Sequence, residues 1–171
     1  MRKIEIVSHD PTWADRATTE AAQIMHALGT SILAIHHIGS TAIPGIMAKP
    51  TLDLLAEVLN LNDIDGLNPR MEALGYAPRG ENGIPGRRYF VKFAGETHFC
   101  HVHMFLTGNP EIVRHINFRD YLIAHPVEAE AYSCLKVALA AQFPYDSVAY
   151  TDGKEQFVRE IDRKASRWHS G

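Results

Sequence analysis

The chain has 171 residues, a length that suits one domain, 1–171, with a full core. Its composition, 46% hydrophobic and 22% charged, is that of a globular protein, and a formal charge of -3 excludes a general basic field for nucleic acid. No run approaches the roughly 18 apolar residues of a membrane span and MRKIEIVSHDP has no signal-peptide core, so a cytoplasmic protein is expected. The only cysteines, Cys100 and Cys134, lack metal-type spacing and imply no disulfide framework.

In chain order, Lys3 to Val7 suits a short edge strand, and Asp10-Pro11 opens a helix to about Leu28. Trp13, Ala17, Ala21, Ile24, Met25 and Leu28 recur at helical spacing, which predicts a core face closed by Gly29. ILAIHHI reads as a strand ending at Gly39-Ser40. A loop with Pro44, Gly45, Lys49 and Pro50 follows, then a strand over 51–58. Period-2 alternation puts Leu52, Leu54, Ala56 and Val58 on one face and Thr51, Asp53, Leu55 and Glu57 on the other. Asn62 to Leu74 is helical, with a break expected at Pro69. Arg79 to Arg88, RGENGIPGRR, is a loop leading into the strand RRYFVKF, and Thr97 to Leu106 is a further strand. Helices are predicted from Pro110, from Pro126 through Ala129, Tyr132, Leu135, Val137 and Leu139, and from about Asp152. Strands early and helices late predict an α+β fold, a mixed sheet of four or five strands packed on helices with a helical C-terminal third.

Several residues carry candidate chemistry. Asp53 stands among Leu and Ala, where an unpaired charge is costly. His101 and His103 share a strand face with α-carbons about 6.6 Å apart, close enough to converge on one ion or one phosphate. Imidazoles suit a transition metal, whereas magnesium prefers oxygen. Glu57 lies roughly 13 Å from Asp53 along an extended strand, too far to share an ion, and is expected as an exposed strand-end residue. Gly39-Ser40 is either a tight turn or a phosphate loop, and Lys49 either a solvated lysine or a phosphate partner. The arginines ending at Arg88 either clamp an anion or belong to a solvated hairpin.

IGSTAIPGIMAKPTLDLL, HVHMF, FRDYLIAHP and the Tyr132/Lys136 pair resemble the GrpB-like proteins, a family placed in the DNA polymerase β-like nucleotidyltransferase superfamily. The resemblance runs from about Trp13 to Trp168 and implies a nucleotidyltransferase-like fold. It further implies phosphate contacts at Gly39 and Ser40, magnesium or manganese at Asp53, and a triphosphate contact from Lys136, otherwise an exposed helix lysine. The superfamily pattern has a second acid where this chain has Leu55. The implied function is metal-dependent nucleotidyl transfer from an NTP to an acceptor. Two alternatives stand beside it: a binding module for a nucleotide or other phosphorylated small molecule, and a phosphoester hydrolase built on His101, His103 and Asp53. Asp53, His101 and His103 are expected to act together as catalytic groups and metal ligands.

Overall fold

The computed structural model describes residues 2–170. The fold is α+β, with a five-stranded mixed sheet and six α-helices among the described residues. The chain divides into two compact units. One comprises Thr12–Gly39 and Thr51–Val113, the other Met1–Pro11, Ser40–Pro50 and Arg114–Gly171.

The sheet unit holds α1 (Trp13–Leu28), β1 (Ile32–Ile38), β2 (Leu52–Val58), α2 (Leu61–Gly66), α3 (Asn68–Ala73), β3 (Tyr76–Pro78), β4 (Arg87–Ala94) and β5 (Thr97–Leu106). The strand order is β1-β2-β5-β4-β3. Only the central pair, β2 with β5, is parallel. Parallel strands need cover, and Leu52, Leu54, Ala56, Val58, Cys100, Val102 and Met104 form an apolar face on which each is at most 2% exposed. Helix α1 packs on β1 and β2, and α3 packs on β3 and α1. The break expected at Pro69 falls at Leu67, between α2 and α3, with Pro69 in the first turn of α3, and the Asn60 side chain caps α2 by accepting from the N–H groups of Asn62 and Asp63.

The buried stripe of α1 runs Trp13, Ala17, Glu20, Ile24 and Leu28. Met25, expected in the core, is exposed, and a carboxylate occupies the stripe instead. Lys92 Nζ donates to both Glu20 oxygens at 3.0 Å and the Tyr76 hydroxyl donates to one at 2.6 Å, which compensates the buried charge.

The helical unit takes α4 (Pro110–Ala124) from Arg114, α5 (Pro126–Gln142) and α6 (Ser147–Ser170), together with the loop after β1. Ile43 and Ile46 of that loop join Phe118, Tyr132 and Ile161 in its core. Helix α6 approaches α5 closely through Gly153, where a Cβ would fall 2.5 Å from Leu139 Cδ2. The expected N-terminal strand reduces to a single bridge, Val7 with Ala48. On α5 the buried stripe is Ala129, Tyr132, Ser133, Lys136 and Leu139, while Val137, expected inside, is exposed.

Candidate functional site

Strand β1 pairs Ile38 with Asp53, so the next residue, Gly39, turns directly beside the carboxylate. Gly39 has φ 73°, and a Cβ there would lie 3.0 Å from Asp53 Oδ2. The chain needs glycine at this point for both conformation and room. On the other side β2 pairs Asp53 with His101 and Leu55 with His103, placing one carboxylate and two imidazoles on one sheet face. His103 Nε2 lies 3.2 Å and His101 Nδ1 3.6 Å from the same oxygen, Asp53 Oδ1. Burial alone would raise the Asp53 pKa. The hydrogen bonds and charges of His101 and His103 outweigh burial and hold the carboxyl well below the usual carboxylate range.

The surrounding contacts assign the ring protons. Arg87 Nη1 lies 3.3 Å from His103 Nδ1, and a guanidinium only donates. His103 Nδ1 is therefore the acceptor, and in the neutral ring Nε2 carries the proton that reaches Asp53. His101 Nε2 lies 2.6 Å from His98 Nδ1. Tyr89 packs against both imidazoles, with ring centroids 5.4 and 5.2 Å away, and its hydroxyl pKa is pushed up to about 12 by burial and then by the Asp53 charge.

These donors do not fit a divalent ion. A metal on His103 Nε2 would displace the proton there and leave the neutral ring's remaining proton on Nδ1, where it would face the Arg87 guanidinium, donor against donor. Leu55, at the second acidic position of the superfamily pattern, is fully buried, leaving one carboxylate. Glu57 is engaged elsewhere, 2.8 Å from His36 Nε2, and is half-buried rather than an exposed strand end. Among the described residues no group of three or more His, Cys, Asp and Glu side chains is disposed to hold a metal ion.

Arg88, read as a phosphate contact, lies on the opposite sheet face and forks onto Asp65 of α2, with Nε–Oδ1 at 2.6 Å and Nη2–Oδ2 at 3.1 Å. Arg87 is the arginine on the Asp53 face, and it ties the preceding loop by donating to the Glu81 and Asn82 carbonyls.

In the helical unit Ser40 opens a 3-10 turn over Ser40–Ala42, and Lys49 Nζ sits 4.4 Å from the centroid of the Tyr150 ring. Lys154 lies over the same ring at 4.6 Å. Lys136 is not an exposed helix lysine, being 2% exposed. It donates to the Met47 carbonyl and lies 4.5 Å from the Tyr132 ring centroid, while the Met47 N–H donates to Ser133 Oγ at 2.8 Å. Burial, and then the neighbouring Lys154 charge, bring the Lys136 pKa down to about 7.

Sequence reading missed His98, singled out Arg88 rather than Arg87 from the arginine loop, and missed Tyr89 and Lys154. The signal for His98, Arg87 and Tyr89 was the β4–β5 register, and a bulge hides it: Phe93 pairs with His98 but Lys92 with Cys100, so Phe99 is an extra residue.

A family model described as GrpB protein matches residues 3–164. The UPF0157 protein YqkA of Bacillus subtilis is 45% identical over 170 residues, which takes in 99% of this chain and 49% of that protein. The present chain thus spans about half the length of that relative. A dephospho-CoA kinase of Mycobacterium bovis is 27% identical over 188 residues, covering 95% of this chain and 46% of the kinase. The crystal structure of conserved protein GrpB from Enterococcus faecalis superposes with a TM-score of 0.93 at 33% identity, covering 98% of this chain and 100% of that one. With a family model spanning nearly the whole chain and a solved member sharing its fold, this chain belongs to the GrpB family.

Proposed function

We propose that the chain transfers a nucleotidyl group from a nucleoside triphosphate to an acceptor hydroxyl or amine, with Asp53 and its imidazoles as the acid–base centre. The observation that carries this is the contact built between Gly39 and Asp53, a strand-end glycine set against a carboxylate that His101 and His103 hold ionised. In this reading the Asp53 carboxylate takes the proton of the acceptor while His101 and His103 hold that carboxylate in place. The acceptor atom bonds to the α-phosphorus and pyrophosphate leaves. No step is assigned to a protein-bound cation. In the helical unit, Lys49 and Lys154 over the Tyr150 ring support affinity for a phosphorylated ligand, as does the name of the mycobacterial relative.

The test is incubation with each labelled NTP and a fractionated extract as acceptor source. Pyrophosphate release that falls at least about 100-fold in Asp53→Asn supports transfer. Saturable NTP binding without release supports the second reading, a non-catalytic binding module, which the buried Leu55 favours. Phosphate release from simple esters supports a hydrolase.

A further inference from the structure

The bulge at Phe99 does more than shift the register. Period-2 alternation along β5 puts His98 with Cys100 and Val102, on the helix-covered face. The extra residue reverses that, and His98 stands on the Asp53 face with Nδ1 2.6 Å from His101 Nε2. Phe99 goes to the other face, where Lys92 Nζ lies 5.9 Å from its ring centroid. Phe93 meets the His98 ring edge-on with centroids 4.7 Å apart, which fixes the ring's orientation toward His101.

We propose that His98 is a positioning residue of this site: by donating from Nδ1 to His101 Nε2 it holds the His101 proton on Nδ1, toward Asp53. The face thereby takes a substrate group that carries a proton, a hydroxyl or an amine, and not a divalent cation. The identity of that group rests on the reading above, but the assignment of protons does not. A neutral imidazole has one donor and one acceptor nitrogen, so naming the partner of one names the role of the other. Arg87, which only donates, does this for His103; at His101 the Asp53 carboxylate, which only accepts, draws the proton to Nδ1, and His98 Nδ1 then donates to the lone pair left on Nε2. Between them the Asp53 carboxylate accepts from His103 Nε2 at 3.2 Å and faces the His101 Nδ1–H at 3.6 Å. Neither ring then directs a lone pair at Asp53, the arrangement a shared cation would need.

The experiment is long-range 1H–15N correlation of the imidazole nitrogens in the labelled full chain, which reads each tautomer without a substrate. In wild type His101 is expected to be protonated on Nδ1 and His103 on Nε2. His98→Ala should lose the His101 Nδ1–H signal in favour of the Nε2–H form that free histidine prefers. His98→Asn, whose amide still donates, should retain it. Zinc added to one equivalent should leave the wild-type His101 and His103 signals unmoved. The inference is overturned if wild-type His101 carries its proton on Nε2, if His98→Ala leaves the tautomer unchanged, or if one equivalent of zinc is bound with both rings shifting. Should His98→Ala fail to fold, the wild-type spectrum and the Asn variant still decide. Locked tautomers in a protein that turns over no NTP would refute the transferase reading and leave this inference standing.

Discussion

Asp53 on the sheet and Lys136 on α5 are both charged residues set among apolar neighbours, yet their surroundings drive them in opposite directions. Burial pushes each toward its neutral form. Asp53 resists because two imidazoles donate to it, and its pKa falls. Lys136 has a carbonyl, an aromatic ring and a nearby lysine charge around it, and its pKa drops to about 7. Burial therefore prevails at Lys136, where no opposite charge answers it, and is overcome at Asp53, where two imidazoles do. Each unit of this chain shows one outcome.

The largest effect expected from breaking this contrast is at Lys136. Its folded pKa lies below the unfolded value of 10.5, so stability rises as pH climbs from about 7 to 10.5 and the full penalty applies below 7. Lys136→Met should gain on the order of 3 kcal/mol over wild type at pH 6, after allowing about 1 kcal/mol for the lost bond to Met47. By pH 10 the gap should vanish or reverse, because the wild-type amine is then neutral and still donates to Met47. Urea denaturation at the two pH values measures this, and a gap that stays constant would mean the amine is charged in the folded state throughout.

Gly39→Val comes next, because a β-branched side chain would have to adopt φ 73° and meet Asp53 Oδ2 at 3.0 Å. The expected loss is about 2 kcal/mol of stability, read from the fall in the urea midpoint. A Gly39→Val protein as stable as wild type would show that the turn relaxes away from Asp53.

Asp53→Asn sharpens the other side of the comparison. The depressed pKa of Asp53 contributes stability that is present above its unfolded value of 3.8 and is lost as pH falls toward the folded value. Wild type should therefore lose stability faster than the variant in acid unfolding below pH 4, and parallel curves would remove the imidazole–carboxylate bonds from the account. The smallest effect is expected at Arg88→Ala, which breaks a pair whose Asp65 side chain is 47% exposed, worth about 0.5 kcal/mol. Nucleotide binding should not change, whereas a large loss of affinity would return Arg88 to the site.

Much of this was legible in the residues themselves. The strands β1, β2, β4 and β5, the long first helix, the break near Pro69 and the helical last third follow from periodicity, proline and glycine, which act locally. Parity alone put Asp53 on one face of β2 and paired His101 with His103 on one face of β5, because alternation along a regular strand needs no partner. Where partners set the outcome, the sequence was silent or misleading. Met25 and Glu20 on α1, and Val137 and Lys136 on α5, compete for neighbouring positions around a helix. Only the Lys92 and Tyr76 contacts show why Glu20 goes inside, and only the Met47 carbonyl shows what Lys136 meets there. The arginine assignment turned on a single residue. The tight Ala94–Thr97 hairpin, continued without interruption, would pair Arg88 with His103, whereas the extra residue at Phe99 pairs Tyr89 with His103 and brings Arg87 and His98 to that face. A bulge is set by cross-strand hydrogen bonding and by side-chain packing on both faces, and neither is a property of the local string.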